Sequence, residues 1–323
     1  MNFFTNIAIS HPPRRFSYAD AYLLMGSCFA QNIGETMEAN QFDIDINPFG
    51  ILYNPASIAS ALRQIVVGKP YGEADLFLWN GLWHSWMHHG GFSSASKGTC
   101  LVNINARLVR ASARMDRLTC LVVTWGTAYA YRLRQTGQVV SNCHKVPERE
   151  FVRERLSVAS IVEDWTLLLD NLFSRNPQLS LILTVSPIRH WKDGAHGNQL
   201  SKATLLLAID QLQERYPERI IYFPAYELMM DELRDYRFYA GDMLHPSEQA
   251  VSYIWETFCE NYLDSETLEA MQEWQKIQKA LSHRPLNPES EAYKQFQHQT
   301  MLKKQRFMEK FPYFGAQTDK GEL

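Results

Sequence analysis

The chain has 323 residues, 46% of them hydrophobic and 21% charged, with 32 basic and 35 acidic side chains. That is the composition of a folded globular protein, long enough for one large domain with embellishments, and it excludes a disordered chain. A net charge of -3 gives the chain as a whole no electrostatic affinity for nucleic acid. No window has the roughly 18–20 consecutive apolar residues of a membrane span. The basic pair Arg14-Arg15 follows the only short apolar run at the N-terminus instead of preceding it, so no secretory leader is expected there. The five cysteines are odd in number and scattered without a CxxC pair, which suits free thiols in a reducing compartment and predicts a cytoplasmic protein.

In chain order, apolar runs of strand length alternate with helical patterns. A strand is expected over 21–25 and a helix over 29–39, then a strand over 42–46 and a helical pattern in "ASIASALRQIV". Residues 69–117 break the alternation. They contain the aromatic and histidine-rich "WNGLWHSWMHHGGFSS" and no clear strand, and read as an insertion capping the sheet edge or forming a lid. Strands follow at 118–125, 179–185 and 220–223, with helices at 158–173, 200–215 and 247–262. From 263 onward the pattern is helical and rich in Gln, Lys and Glu, interrupted by "HRPLNP". The expectation is an α/β domain over 1–262, with a mostly parallel five-stranded sheet, followed by a helical extension over 263–323. The basic "MLKKQRFMEKF" within that extension reads as a solvated helix face.

In a parallel sheet, ligands bind beyond the carboxyl ends of the strands. The residues standing there are Gly26-Ser27-Cys28, Asn47 to Gly50, Gly126-Thr127, Ser186 to His190, and the segment leading to Asp242 and His245. An Asp three residues before a His can hold one imidazole nitrogen and leave the other as a base. Pro246 and Glu248 suit the start of the helix that follows. Ser27 opens a helix after a strand, where backbone N–H groups are natural donors to an oxyanion. Taken alone, Ser27 reads as a helix cap and the Asp-His pair as surface residues. Together they supply a nucleophile, a base and its orienter. No G-x-S-x-G occurs, so this is not a nucleophile elbow.

"GSCFA" and "DMLHPS" resemble the first and last sequence blocks of the SGNH (GDSL-like) hydrolases. With "TWGT", "NCHKVP", "TVSPIRH", "LSKATLL", "FPAYE" and "DELRDYRFY" between them in order, residues 15–260 closely resemble the GSCFA family within that group. The resemblance implies a three-layer α/β/α fold of flavodoxin-like type and an esterase-like site. In that site Ser27 is the nucleophile, His245 the base and Asp242 its orienter, while Cys28 packs behind. It places an oxyanion donor at Gly50. The Gly-x-Asn of the third block is Gly126-Thr127-Ala128 here, which leaves Asn142 or Asn47 to replace the missing amide. The expected substrate contacts are Asn47, Gly126, Thr127, His144, Lys145, Arg189, His190 and His88. Arg189 or Lys145 would either neutralise an anionic group or form salt bridges to "DELRDYRFY". His84 and His88 have the spacing of two ligands on one helical face, but no third ligand accompanies them. An aromatic lid is expected there, without a metal.

The implied activity is hydrolysis of an acyl ester, acetyl esters included, of a small molecule or carbohydrate, with no cofactor. Acyl transfer to a carbohydrate or cell-envelope precursor, or non-catalytic binding on the same fold, are the competing expectations.

Overall fold

The computed structural model describes residues 5–317. The chain begins with β1 (Ala21–Gly26), α1 (Cys28–Ala39), β2 (Asp43–Ile46) and α2 (Pro55–Val67). A hairpin of β3 (Leu76–Trp79) and β4 (Leu82–Ser85) leads to α3 (Lys97–Arg114) and β5 (Cys120–Trp125). Three short strands follow, β6 (Tyr129–Leu133), β7 (Val139–Val140) and β8 (Phe151–Arg155), and then α4 (Val158–Arg175), β9 (Ser180–Val185), α5 (Gly194–Arg215) and β10 (Ile220–Tyr222). The short α6 (Ala225–Glu227) runs into a π-helical turn, Leu228–Glu232, before α7 (Glu248–Tyr262), α8 (Ser265–Leu281) and α9 (Glu291–Lys310).

Five strands form one sheet in the order β10-β9-β5-β1-β2, every neighbouring pair parallel. The continuous apolar runs arise because both faces are covered. Side chains alternate across a strand, so Tyr22, Leu24, Val122, Ile182 and Ile221 enter one core with Phe29, Ile33 and Phe258. Leu23, Met25, Leu121, Val123, Leu181 and Leu183 enter the other with Ile58, Leu62, Leu169 and Leu205. Each such side chain contributes about 1.5–3 kcal/mol by leaving water, and this two-sided burial holds the three layers together.

The sheet order runs outward in both directions from β1 and β5, so a crevice opens at their carboxyl ends. The register pairs Gly26 with Thr124 and Thr124 with Thr184. The residues just beyond, Ser27, Gly126 and Ser186, therefore reach the same edge of the sheet. Gly26 has φ +141, and a Cβ there would lie 2.2 Å from the Thr124 carbonyl oxygen. Only glycine lets the chain leave β1 at this point and start α1.

Residues 69–117 do contain strands. β3 and β4 pair antiparallel in a separate two-stranded sheet; at four residues each, with β4 ending in His84-Ser85, they are too short to stand out as apolar runs. α3 lies against the β2 edge: Arg107 pairs with Asp45 at 2.9 Å and Arg114 with Asp43 at 2.6 Å. The two arginines are seven residues apart, two helical turns, and so share one face. The insertion thus covers an edge strand that would otherwise offer unpaired backbone groups.

The C-terminal helices pack into the first core. Ala270, Met271, Trp274, Ile277 and Phe307 are buried with residues of α1 and α7. Trp274 Nε1 donates to the Ala39 carbonyl at 3.0 Å, and the Tyr18 ring sits 4.2 Å from Phe314.

Candidate active site

A cavity of about 430 Å³ opens at the carboxyl edge of the sheet. Ser27 and Cys28 contribute from the β1–α1 turn, Thr127 from the end of β5, Ile188 to Asp193 from the loop after β9, and His245 from the loop before α7. The small antiparallel sheet β7-β6-β8 supplies a side wall through Tyr129, Tyr131, Val140 and Arg153.

Ser27 caps α1, its Oγ accepting from the Phe29 N–H at 3.3 Å. The same hydroxyl donates to Ser186 Oγ at 3.2 Å. Ser27 is fully buried, so its hydroxyl lies at the cavity floor. Asp242 Oδ1 accepts from the N–H groups of Leu244 and His245, both at 2.9 Å. Its Oδ2 accepts from His245 Nδ1 at 2.5 Å. These bonds, the His245 N–H first, hold the Asp242 carboxyl down at about 2. A permanently ionised carboxylate on Nδ1 makes that nitrogen the donor and leaves Nε2 as the lone-pair side of the ring. His245 is 49% exposed and stands at the cavity rim, while Ser27 lies at the floor.

Cys28 also touches the cavity. Burial pushes its thiol above the ordinary value, and the Asp242 charge adds to the effect. It is no preformed thiolate, in spite of its place at a helix start.

Most of the N–H groups expected to serve an oxyanion are already engaged. Gly50, at φ +77, donates to the Asn47 carbonyl at 2.7 Å and packs against His89. It does not line the cavity. Gly126 and Thr127 both donate to the Tyr53 carbonyl, at 2.7 and 3.0 Å. The Ser27 N–H makes only a long 3.4 Å contact to the Thr124 carbonyl. Asn142 lines the cavity, with Oδ1 held by the His144 N–H at 2.8 Å. Its Nδ2 donates to no protein group among the described residues and remains open to a ligand.

Other expected contacts lie elsewhere. Asn47 is buried and braces the turn: Oδ1 accepts from the Gly26 N–H at 2.9 Å and Nδ2 donates to Gln31 at 2.9 Å. His88 is stacked on Phe49 at 4.4 Å and bonded to Ser85 Oγ at 2.9 Å, and burial drives its pKa down to about 3. His144 bonds the Ser85 carbonyl at 2.8 Å and packs against His84 and Phe77. Burial pushes it down to about 4. Lys145 is exposed and away from the cavity. His84 sits in strand β4 and His88 in the turn after it, so their spacing does not give a shared helical face. No residue between 69 and 117 lines the cavity.

His190 and Arg189 do line the cavity. Burial, helped by the Lys202 charge, lowers His190 to about 4, and its Nε2 is buried without a protein partner.

Sequence reasoning missed Lys202, a fully buried ammonium from α5. Its Nζ donates to the carbonyls of Gly126 at 2.8 Å and Ser186 at 2.7 Å. Those carbonyls lie just past the ends of β5 and β9, so Lys202 ties together the two strand ends beside Ser27. Desolvation lowers its pKa to about 7. The signal was available in "LSKATLL": Lys202 precedes Leu205, Ile209 and Leu212 at helical spacing and so falls on the buried face. Tyr53, Tyr129, Tyr131, Arg153 and Trp191 were missed as well, because nothing local in the sequence says which aromatics face a cavity.

Residues 21–258 match the model of the GSCFA family, and residues 274–323 match that of the GSCFA domain protein, C-terminal domain. No curated protein matches the chain.

Proposed function

From the premise that this chain belongs to the GSCFA family, we propose that it is a serine hydrolase of SGNH type that cleaves an acyl ester. The observation that carries the reading is the Asp242–His245 pair on the cavity that has Ser27 at its floor. In this reading His245 Nε2 takes the Ser27 proton as Oγ attacks the ester carbonyl. The tetrahedral oxyanion then accepts from the Ser27 N–H and from Asn142 Nδ2. Gly50, whose N–H is engaged, has no part in this. His245 returns the proton to the leaving alcohol, and water repeats the sequence in reverse to release the acid. The Ser27 hydroxyl now donates to Ser186 and must turn toward His245 when substrate enters. Catalytic hydrogen bonds commonly tighten only in the complex.

The aromatic wall formed by Tyr53, Tyr129, Tyr131 and Trp191 favours a second form of the same chemistry, transfer of the acyl group to a sugar hydroxyl, because aromatic faces suit sugar rings. Triad and acyl-enzyme are common to both.

The decisive experiment is a panel of short acyl esters, with and without added acceptor alcohols, run alongside a fluorophosphonate probe. Wild type is expected to turn over and to label. Ser27→Ala and His245→Ala should lose roughly 10³-fold or more in kcat/KM, and Cys28→Ala should keep the greater part. Folded wild-type protein that neither labels nor turns over any ester would leave a binding protein on this fold as the function.

A further inference from the structure

Three cations line the cavity. Arg153 is matched by Asp193, Nη2 to Oδ2 at 2.8 Å, and Lys192 by Glu148 at 2.5 Å. Arg189 has no acidic partner among the described residues. Its Nη2 meets only the Met230 thioether at 3.8 Å, and its Nε is buried with no acceptor. A thioether is a weak acceptor for a group that carries five N–H donors. Its Nε is thus out of water without an acceptor, a costly condition for a donor, while the remaining N–H groups of this half-buried residue have no carboxylate to bind. The next residue, His190, also lines the cavity, and its Nε2 is buried beside Gly126 without a protein partner. The Arg189 main chain is tied to the catalytic loop, its N–H reaching the Leu244 carbonyl at 3.4 Å. The anchor of this side chain and the base His245 are therefore neighbours.

We propose that Arg189 is the docking residue for an anionic group on the substrate, a carboxylate or a phosphate monoester, held beside His190 while the ester lies over Ser27. The planar fork of guanidinium donors matches both anions in two-point fashion, which an ammonium does not. Lys145, exposed and off the cavity, does not share the task. The word substrate rests on the hydrolase reading above, whereas anion binding at Arg189 stands independently of it.

The test has a binding arm and a kinetic arm, both on the full chain. In the first, inorganic phosphate and succinate are titrated against thermal unfolding. The wild type is expected to gain stability at millimolar anion, Arg189→Gln to gain none, and Arg189→Lys to keep part of the gain. In the second, kcat/KM is compared for a neutral acetyl ester, a succinate half-ester with its carboxylate in the acyl part, and an acetylated sugar phosphate with its anion in the alcohol part. One anionic ester should be preferred, and its identity tells which half of the substrate carries the charge. Arg189→Gln should lower the anionic-to-neutral ratio by roughly tenfold, through KM, as expected for loss of one charged two-point contact. Should Arg189→Gln not fold, the same ratio in Arg189→Lys is read instead and is expected to fall. An anion response equal in wild type and Arg189→Gln, or absent from both, overturns the inference. Anion binding by a wild type that turns over none of the three esters leaves it standing and removes the hydrolase reading. Turnover without anion binding does the reverse.

Discussion

Asp242 gathers three N–H groups from its own loop, two from main chain and one from the imidazole. A carboxylate so held, with its pKa down at about 2, stays ionised on mild acidification, so in the proposed mechanism it still orients His245 there. Asp242→Asn keeps an acceptor for the main-chain bonds but turns an amide toward Nδ1 and favours the wrong tautomer. The expected result is a fall of about 10⁴ in kcat with circular dichroism unchanged. Lys202 yields a second prediction at this scale. Its folded-state pKa, about 7, lies below the ordinary lysine value, so between these pH values the unfolded chain binds more protons than the folded one. Stability from this residue therefore rises with pH from about 7 toward 10, by at most about 1.4 kcal/mol per pH unit. Below pH 7 both states carry the proton and the full cost of burying it remains. Urea unfolding of wild type and Lys202→Met at pH 7 and pH 9 should show the difference between them shifting in favour of wild type at the higher pH. Equal differences at both pH values would show that Lys202 is not a desolvated amine.

For the elements, the β1–α1 turn is the part that tolerates least change. Gly26→Ala forces a Cβ into the Thr124 carbonyl at a positive φ. It is expected to cost about 3 kcal/mol or more, as strain in a sparsely populated region joins a steric overlap between neighbouring strands. Denaturant midpoints measure this loss, and ester turnover should fall with it because Ser27 moves with the turn. β1, β5, β9 and β10 could be found from the sequence because they are mostly buried and apolar, whereas β2, Asp-Ile-Asp-Ile at the sheet edge, is legible only as a short alternation. The six-residue β1, β5 and β9 stand out best. β6, β7 and β8 could not be found that way. Tyr129 to Leu133 and Phe151 to Arg155 are half-exposed and mix charge with aromatics, and β7 is only two residues long.

In the whole molecule, the helices beyond residue 263 complete the core that α1 and α7 begin. Tyr18 connects the ends of the chain: its ring stacks on Phe42 at 4.3 Å and meets Phe314, and its N–H reaches Thr267. Removing residues 265–323 exposes Phe42, Met37 and the α7 face to water. Truncation after Asp264 is expected to yield a chain that aggregates or loses near-ultraviolet circular dichroism and cooperative unfolding, even though every cavity-lining residue is retained. Among the described residues no helix is long and apolar enough to cross a membrane.

The sequence by itself determined the alternation of two-sided apolar strands with amphipathic helices, and hence the parallel α/β sheet with its crevice at the strand ends. It also brought forward Ser27, Asp242 and His245, not through either local pattern alone but through the two together and the ordered sequence words that resemble the family. Only the tertiary structure decided which N–H groups are already engaged, as at Gly50, Gly126 and Asn47. Only it showed that Lys202 lies buried under two strand ends, and that, among the described residues, Arg189 alone of the cavity's arginines and lysines has no carboxylate. The physical reason is that hydrogen-bond satisfaction and charge pairing depend on neighbours contributed by distant segments. No local pattern records whether an acceptor or a counter-charge comes to lie within reach.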